Sequence, residues 1–264
     1  MREILSDLVA EQQHLDQFLQ TLSTRQWTTM TPAPGWSIQD TVSHLAYAEG
    51  FAAEVLEEGQ KRIDRERITD IDAWTEIGVE QGRGRRHQEI IEWWRFGRAD
   101  VVDALSRMQA TDRVPWFYGD MGAASFASIR LMETWAHGLD IKCAMLDRIT
   151  PLDGPPEDLE EDEEWNDPLE DTTRLRHIAS LGQRSLRFAF EQAGEEFPES
   201  DIRVEVMGPL YAAWRFGPED TDQVIKGMAG DWCRLVVQRQ TAEDTGLKAV
   251  GDFAETALQI ARTY

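Results

Sequence analysis

Positive charge is scarce in this 264-residue chain: 27 lysines and arginines stand against 49 aspartates and glutamates, a formal net charge of −22. DNA or RNA would meet a repulsive field, so no nucleic-acid partner is expected. Long apolar runs are also missing. No stretch approaches 18 uninterrupted apolar residues, and the N-terminus MREILSDLVAEQQHLDQ is charged from its second residue. Neither a membrane span nor a secretory leader is expected, and the expected location is the cytoplasm. Cysteine is limited to Cys143 and Cys233, 90 positions apart and outside any CxxC or CxxH pattern. They read as free thiols in a reducing compartment. HExxH, P-loop, GxGxxG and GxSxG signatures are absent, which removes the commonest metalloprotease, nucleotide-binding and serine-hydrolase readings.

Apolar residues make up 41% of the chain and ten are tryptophan. That is enough for one large core or two ordinary ones. The acidic excess is uneven. Asp153 to Asp171 holds eleven acidic residues and no basic one, half of the net charge. Such a run reads as a solvated linker or insertion over 150–171, between a domain at 1–149 and another at 172–264.

Residues 2–22 carry Leu5, Leu8, Val9, Leu15, Phe18, Leu19 and Leu22 at helical spacing. TMTPAPGW (29–36) is loop chemistry, and Ser37-x-x-Asp40 is a capping box opening a second helix to about Gly59. A third helix is expected over 72–109, broken around Gly82 and Gly84, and a fourth from about Ser125 to Leu146. Four long helices imply an up-and-down bundle. Beyond the acidic run a helix is expected at 172–194, strands at 201–207, 210–216 and 223–226, and helices at 228–239 and 250–262. The fold class is therefore α+β: an N-terminal four-helix bundle, then a small α+β domain.

Chemistry concentrates on the fourth helix. Glu133 and His137 are four residues apart, one turn on a single face. Arg130 and Asp140 extend that stripe through an otherwise core-like helix, and burying it is costly unless its members are paired or ligate a metal. His44 sits in a similar apolar setting among Val42, Leu45 and Ala46. Two histidines and a carboxylate suit Zn²⁺ with an open position or a non-haem Fe²⁺ triad. By spacing alone Glu133–His137 fits a structural pair as well as a chelate. Asp140 either orients His137 or faces solvent. Trp36 reads as a staple at the start of the second helix.

The segments PAPGWSIQDTVSHLAYAE and RLMETWAHGLDI together resemble the DinB/YfiT-like metal-dependent bundle superfamily, and within it the mycothiol-dependent maleylpyruvate isomerase-like branch. The resemblance covers residues 1–147. It implies that His44, Glu133 and His137 hold one divalent ion, most simply Zn²⁺, with Ni²⁺ or Fe²⁺ as alternatives. WRFGPEDTDQVIKG and DWCRLVVQRQ resemble that branch's accessory domain, and also a small domain named for wyosine-base formation. The implied chemistry is activation of a low-molecular-weight, mycothiol-like thiol for S-transfer to, or isomerisation of, a small electrophile. The implied partners are that thiol and that electrophile, with the protein a monomer or homodimer. Arg130, on the metal face, is one candidate to hold a substrate carboxylate. Arg215 is another, because the related isomerase uses an arginine of its C-terminal domain. Two other readings stand beside this one: a non-catalytic metal- or ligand-binding protein, and a non-haem iron oxygenase. Glu133 speaks against the last, since related sulfoxide-forming bundles use three histidines.

Overall fold

A computed structural model of the chain describes residues 1–68, 70–117, 119–155 and 165–263. It divides into two compact units, Met1–Glu170 and Asp171–Tyr264. The central part of the acidic run, 156–164, lies outside the described residues.

The first unit contains α1 (Arg2–Thr21), α2 (Ile38–Glu58), α3 (Gln60–Glu66), α4 (Ile71–Arg83), α5 (His87–Ser106) and α6 (Ala123–Leu146). A two-strand ladder, β1 (Arg113–Val114) and β2 (Met121–Gly122), precedes α6. Helices α1, α2, α5 and α6 close a ring of contacts, α1 against α5, α5 against α2, α2 against α6 and α6 against α1. Leu15, Leu19, Trp27, Val42, Leu45, Ile90, Trp94 and Ile141 fill its core. Each such side chain contributes roughly 1.5–3 kcal/mol on leaving water. The expected third helix is two, α4 and α5, because the chain turns through Gly84 and Arg85 before restarting at His87. α3 is short and had no pattern of its own to announce it.

Gly97 sets how closely α5 and α2 approach. A Cβ there would lie 2.9 Å from the Gly50 nitrogen and 3.1 Å from the Glu49 Cβ. The residual acidic segment is less solvated than its composition suggested. Asp167 is buried, accepting from Arg148 Nη2 at 2.6 Å and from the Leu152 and Leu169 backbone N–H groups.

The second unit contains α7 (Leu175–Ala193), β3 (Arg203–Met207), β4 (Ala213–Phe216), β5 (Val224–Met228), α8 (Ala229–Val236), β6 (Lys248–Val250) and α9 (Asp252–Ile260). The sheet order is β4-β3-β5-β6, with β3 and β5 parallel and both outer pairings antiparallel. β6 was not foreseen: three residues are too few for alternation to register. α7 and α8 pack through Trp232, whose Nε1 donates to the Ala179 carbonyl at 3.0 Å. Among the described residues no helix is long and apolar enough to cross a membrane.

Candidate metal centre

The loop before α2 turns at Gly35, whose φ of +80° is a conformation most side chains avoid. It presents Trp36 and then Ser37, whose backbone and Oγ engage the Asp40 carboxylate while Ser37 Oγ accepts from the Asp40 N–H at 3.2 Å. This capping box starts α2 and places His44 almost two turns in, buried on the bundle side. α6 runs alongside and supplies Glu133 and His137 from successive turns.

The three side chains converge. Their ligand atoms lie within 4.8 Å of one another. His44 Nε2 is 3.6 Å and His137 Nε2 3.8 Å from the same Glu133 oxygen, Oε2. Both separations are long for hydrogen bonds. They approach the roughly 3.3 Å expected between donors that share a tetrahedral ion at about 2.0–2.1 Å.

The charge states also suit a cation. Burial pushes the His44 pKa down and keeps the ring neutral, the form that ligates. Burial alone would raise the Glu133 pKa, but the His44 ring, the Arg130 guanidinium and the His137 ring outweigh it and hold the value down at about 2. Nδ1 of His44 is buried and has no hydrogen-bond partner among the described residues. The donor set therefore fits a divalent ion.

Asp140 is buried with Oδ2 3.2 Å from His137 Nδ1. That contact selects the tautomer with Nδ1–H and leaves Nε2 free toward Glu133. Trp36 is not a core staple. Its ring centroid lies 5.0 Å from that of His44 and 6.0 Å from that of His137, and its Nε1 donates to Glu76 Oε1 on α4 at 2.8 Å.

Arg130 lies beside the triad but is only 3% exposed, with Nη1 3.8 Å from Oε1 of Glu49, which is fully buried. Burial raises the Glu49 pKa to about 7, with Arg130 and Arg98 opposing and Glu133 adding to the rise. Glu49 went unnoticed in the sequence, although a carboxylate amid Leu45, Ala46, Ala48, Phe51 and Ala52 was a visible signal. Arg215 lies on β4 in the second unit, exposed, with Nε 3.9 Å from Glu205 Oε1.

Known proteins are similar to this chain in sequence and in fold. A family model described as the mycothiol maleylpyruvate isomerase N-terminal domain matches residues 8–142, just over half of the chain. Two uncharacterized proteins of Mycobacterium tuberculosis, from strains CDC 1551 / Oshkosh and ATCC 25618 / H37Rv, are each 32% identical over 262 residues, covering 98% of this chain and 94% of their own. Among solved structures, a mycothiol-dependent maleylpyruvate isomerase superposes with a TM-score of 0.57 at 14% identity, covering 94% of this chain and 92% of that one. A mutant of that isomerase gives the same TM-score at 13% identity. At such identities the structural match speaks for the fold alone, while the family model spans the stretch that carries His44, Glu133 and His137. The chain belongs to the mycothiol maleylpyruvate isomerase N-terminal domain family.

Proposed function

We propose that this protein binds one divalent metal ion through His44, Glu133 and His137 and uses it to activate a low-molecular-weight thiol, mycothiol-like, against a small electrophile. The outcome is S-transfer to that electrophile or its isomerisation, and the solved structure of like fold is a mycothiol-dependent maleylpyruvate isomerase. One observation carries the reading: two imidazole nitrogens and a carboxylate oxygen from two different helices meet within 4.8 Å.

A bound divalent ion with an open position supplies Lewis acidity, which lowers the pKa of a thiol toward neutrality. The chain's own residues do the rest. Asp140 holds the His137 Nδ1 proton, so the ring cannot swing away or change tautomer. Trp36 covers both imidazoles and keeps bulk water from that side. Arg130, on the metal face but buried beside Glu49, and Arg215 are the two candidates to hold a substrate carboxylate by a paired N–H fork. Zn²⁺ is the ion best suited to this donor set, with Ni²⁺ and Fe²⁺ as alternatives.

Metal analysis of freshly purified protein, with H137A as control, tests the first step. Stoichiometric metal in the wild type and its loss in H137A are expected; a metal-free wild type ends the reading. Consumption of a thiol with a maleylpyruvate-like electrophile then separates an enzyme from a protein that only stores or senses the ion.

A further inference from the structure

Charges of alternating sign cross the interior of the helical unit. Asp16 on α1 is bound by Arg95 and Arg98 of α5, with Arg95 Nε at 2.8 Å. Glu49 on α2 lies in the field of Arg98 and of Arg130 on α6, and Arg130 precedes the ligand Glu133 by one turn. The middle pair of this array is unusual. Among the described residues, neither oxygen of the buried Glu49 has a hydrogen-bond partner, and nor do Nε and Nη1 of Arg130. Their closest approach is 3.8 Å, well beyond the roughly 2.7–2.9 Å of a charge-assisted hydrogen bond. Arg130 is instead held near the faces of Trp116 and Phe126, its Cζ 5.4 and 6.0 Å from their centroids.

A buried ion pair is poor evidence of a stabilising device, since apolar residues of similar volume often do as well or better. This pair gives up even its hydrogen bonds. What it retains is its field, and that field falls on the triad. Arg130 acts on both Glu133 and His44. Arg130 offsets the charge of Glu133 and, with Asp140 beside His137, leaves this group of side chains at minus one, which weakens its pull on a dication. An ionised Glu49 brings the sum to minus two. Glu49 and Arg130 are buried, so their charges are screened far less than surface ones.

We propose that Glu49 is a positioning residue for the metal centre: by neutralising Arg130 inside the bundle, it sets the divalent-cation affinity of His44, Glu133 and His137 without touching the ion. The inference rests on the metal-binding reading above, and it predicts a charge effect rather than a packing effect.

The test is competition between the full-length protein and a chelating indicator dye for Zn²⁺, at a pH above the range in which Glu49 titrates. E49Q keeps the shape and removes the charge. It should bind Zn²⁺ about 10- to 100-fold more weakly than the wild type, as loss of a residue outside the ligand shell typically does. E49Q/R130Q, with both charges gone, should recover wild-type affinity. R130Q alone should bind at least as tightly as the wild type, and this arm decides the matter should E49Q fail to fold. Equal affinity in E49Q and wild type overturns the proposal. So does a double variant as weak as E49Q, which would assign the loss to packing, or a weakened R130Q, which would make Arg130 a support for Glu133. A wild type that takes up no Zn²⁺ removes the metal reading itself and the proposal with it, whereas the other adverse outcomes leave that reading standing.

Discussion

His137 can offer Nε2 to the centre because Asp140 holds the opposite nitrogen, and this division of labour sets what a conservative change should do. D140N keeps the size of the side chain and lets the imidazole adopt the other tautomer. Zn²⁺ affinity should fall about 10- to 100-fold while the melting temperature of the metal-free protein stays close to wild type; dye competition and thermal denaturation on the same sample check both halves. Glu49 makes the complementary point through stability. Its carboxyl has a pKa near 7 in the fold against 4.5 when unfolded. The groups around it are Arg98 on α5 and Arg130 and Glu133 on α6. A carboxyl with a raised folded pKa is best tolerated while it keeps its proton, so its contribution is present in full below the unfolded value and lost as pH climbs through the folded one. In metal-free protein, the stability of wild type relative to E49Q should therefore fall by roughly 3 kcal/mol between pH 4.5 and about 7. Urea denaturation of both proteins across that window measures it, and a flat difference would contradict it.

The bundle's precision comes from how closely its helices approach, and Gly97 is the clearest control point. An alanine Cβ would press on backbone at Gly50 and on the Glu49 Cβ, neither of which is a free side-chain end. G97A should cost about 1–3 kcal/mol by overpacking and should weaken metal binding as α2 shifts with its histidine. Chemical denaturation and metal competition read the two effects separately. The elements also differ in how visible they were. α1, α2 and α6 are long and bounded by caps, loops or glycine, so a 3.6-residue period and turn chemistry located them to within a few residues. Glu133 and His137 were legible for the same reason, since one helix alone makes them neighbours. His44 was not. It lies on another helix, and only resemblance to a family joined it to the pair before the packing did. Trp36 departs from the staple its position suggests, since an aromatic just before a helix cap usually packs on the helix it precedes. Here the Gly35 turn and the Glu76 acceptor on α4 direct it over the two histidines instead.

For the molecule as a whole, metal and folding should be linked. An ion that binds the folded chain and not the unfolded one stabilises by about 2.7 kcal/mol at a hundred times its dissociation constant. Zn²⁺ should accordingly raise the melting temperature of the wild type, a chelator should return it, and H137A should show neither shift; calorimetry with and without Zn²⁺ decides. Two compact units also make separate transitions a reasonable expectation, with the metal acting on the one that contains α2 and α6. The sequence by itself determined what is local: helices where apolar residues recur every three to four positions, a loop where proline and glycine cluster, a chelate where two donors sit one turn apart. Tertiary structure alone decided what pairs across helices, namely His44 with Glu133, Glu49 with Arg130, and Trp36 over the histidines. Their separations along the chain run from 8 to 101 positions for the ring contacts and from 81 to 89 for the other two pairs. No periodicity within one helix records which residue of another will face it; that follows from how side chains of given volume close around a shared core.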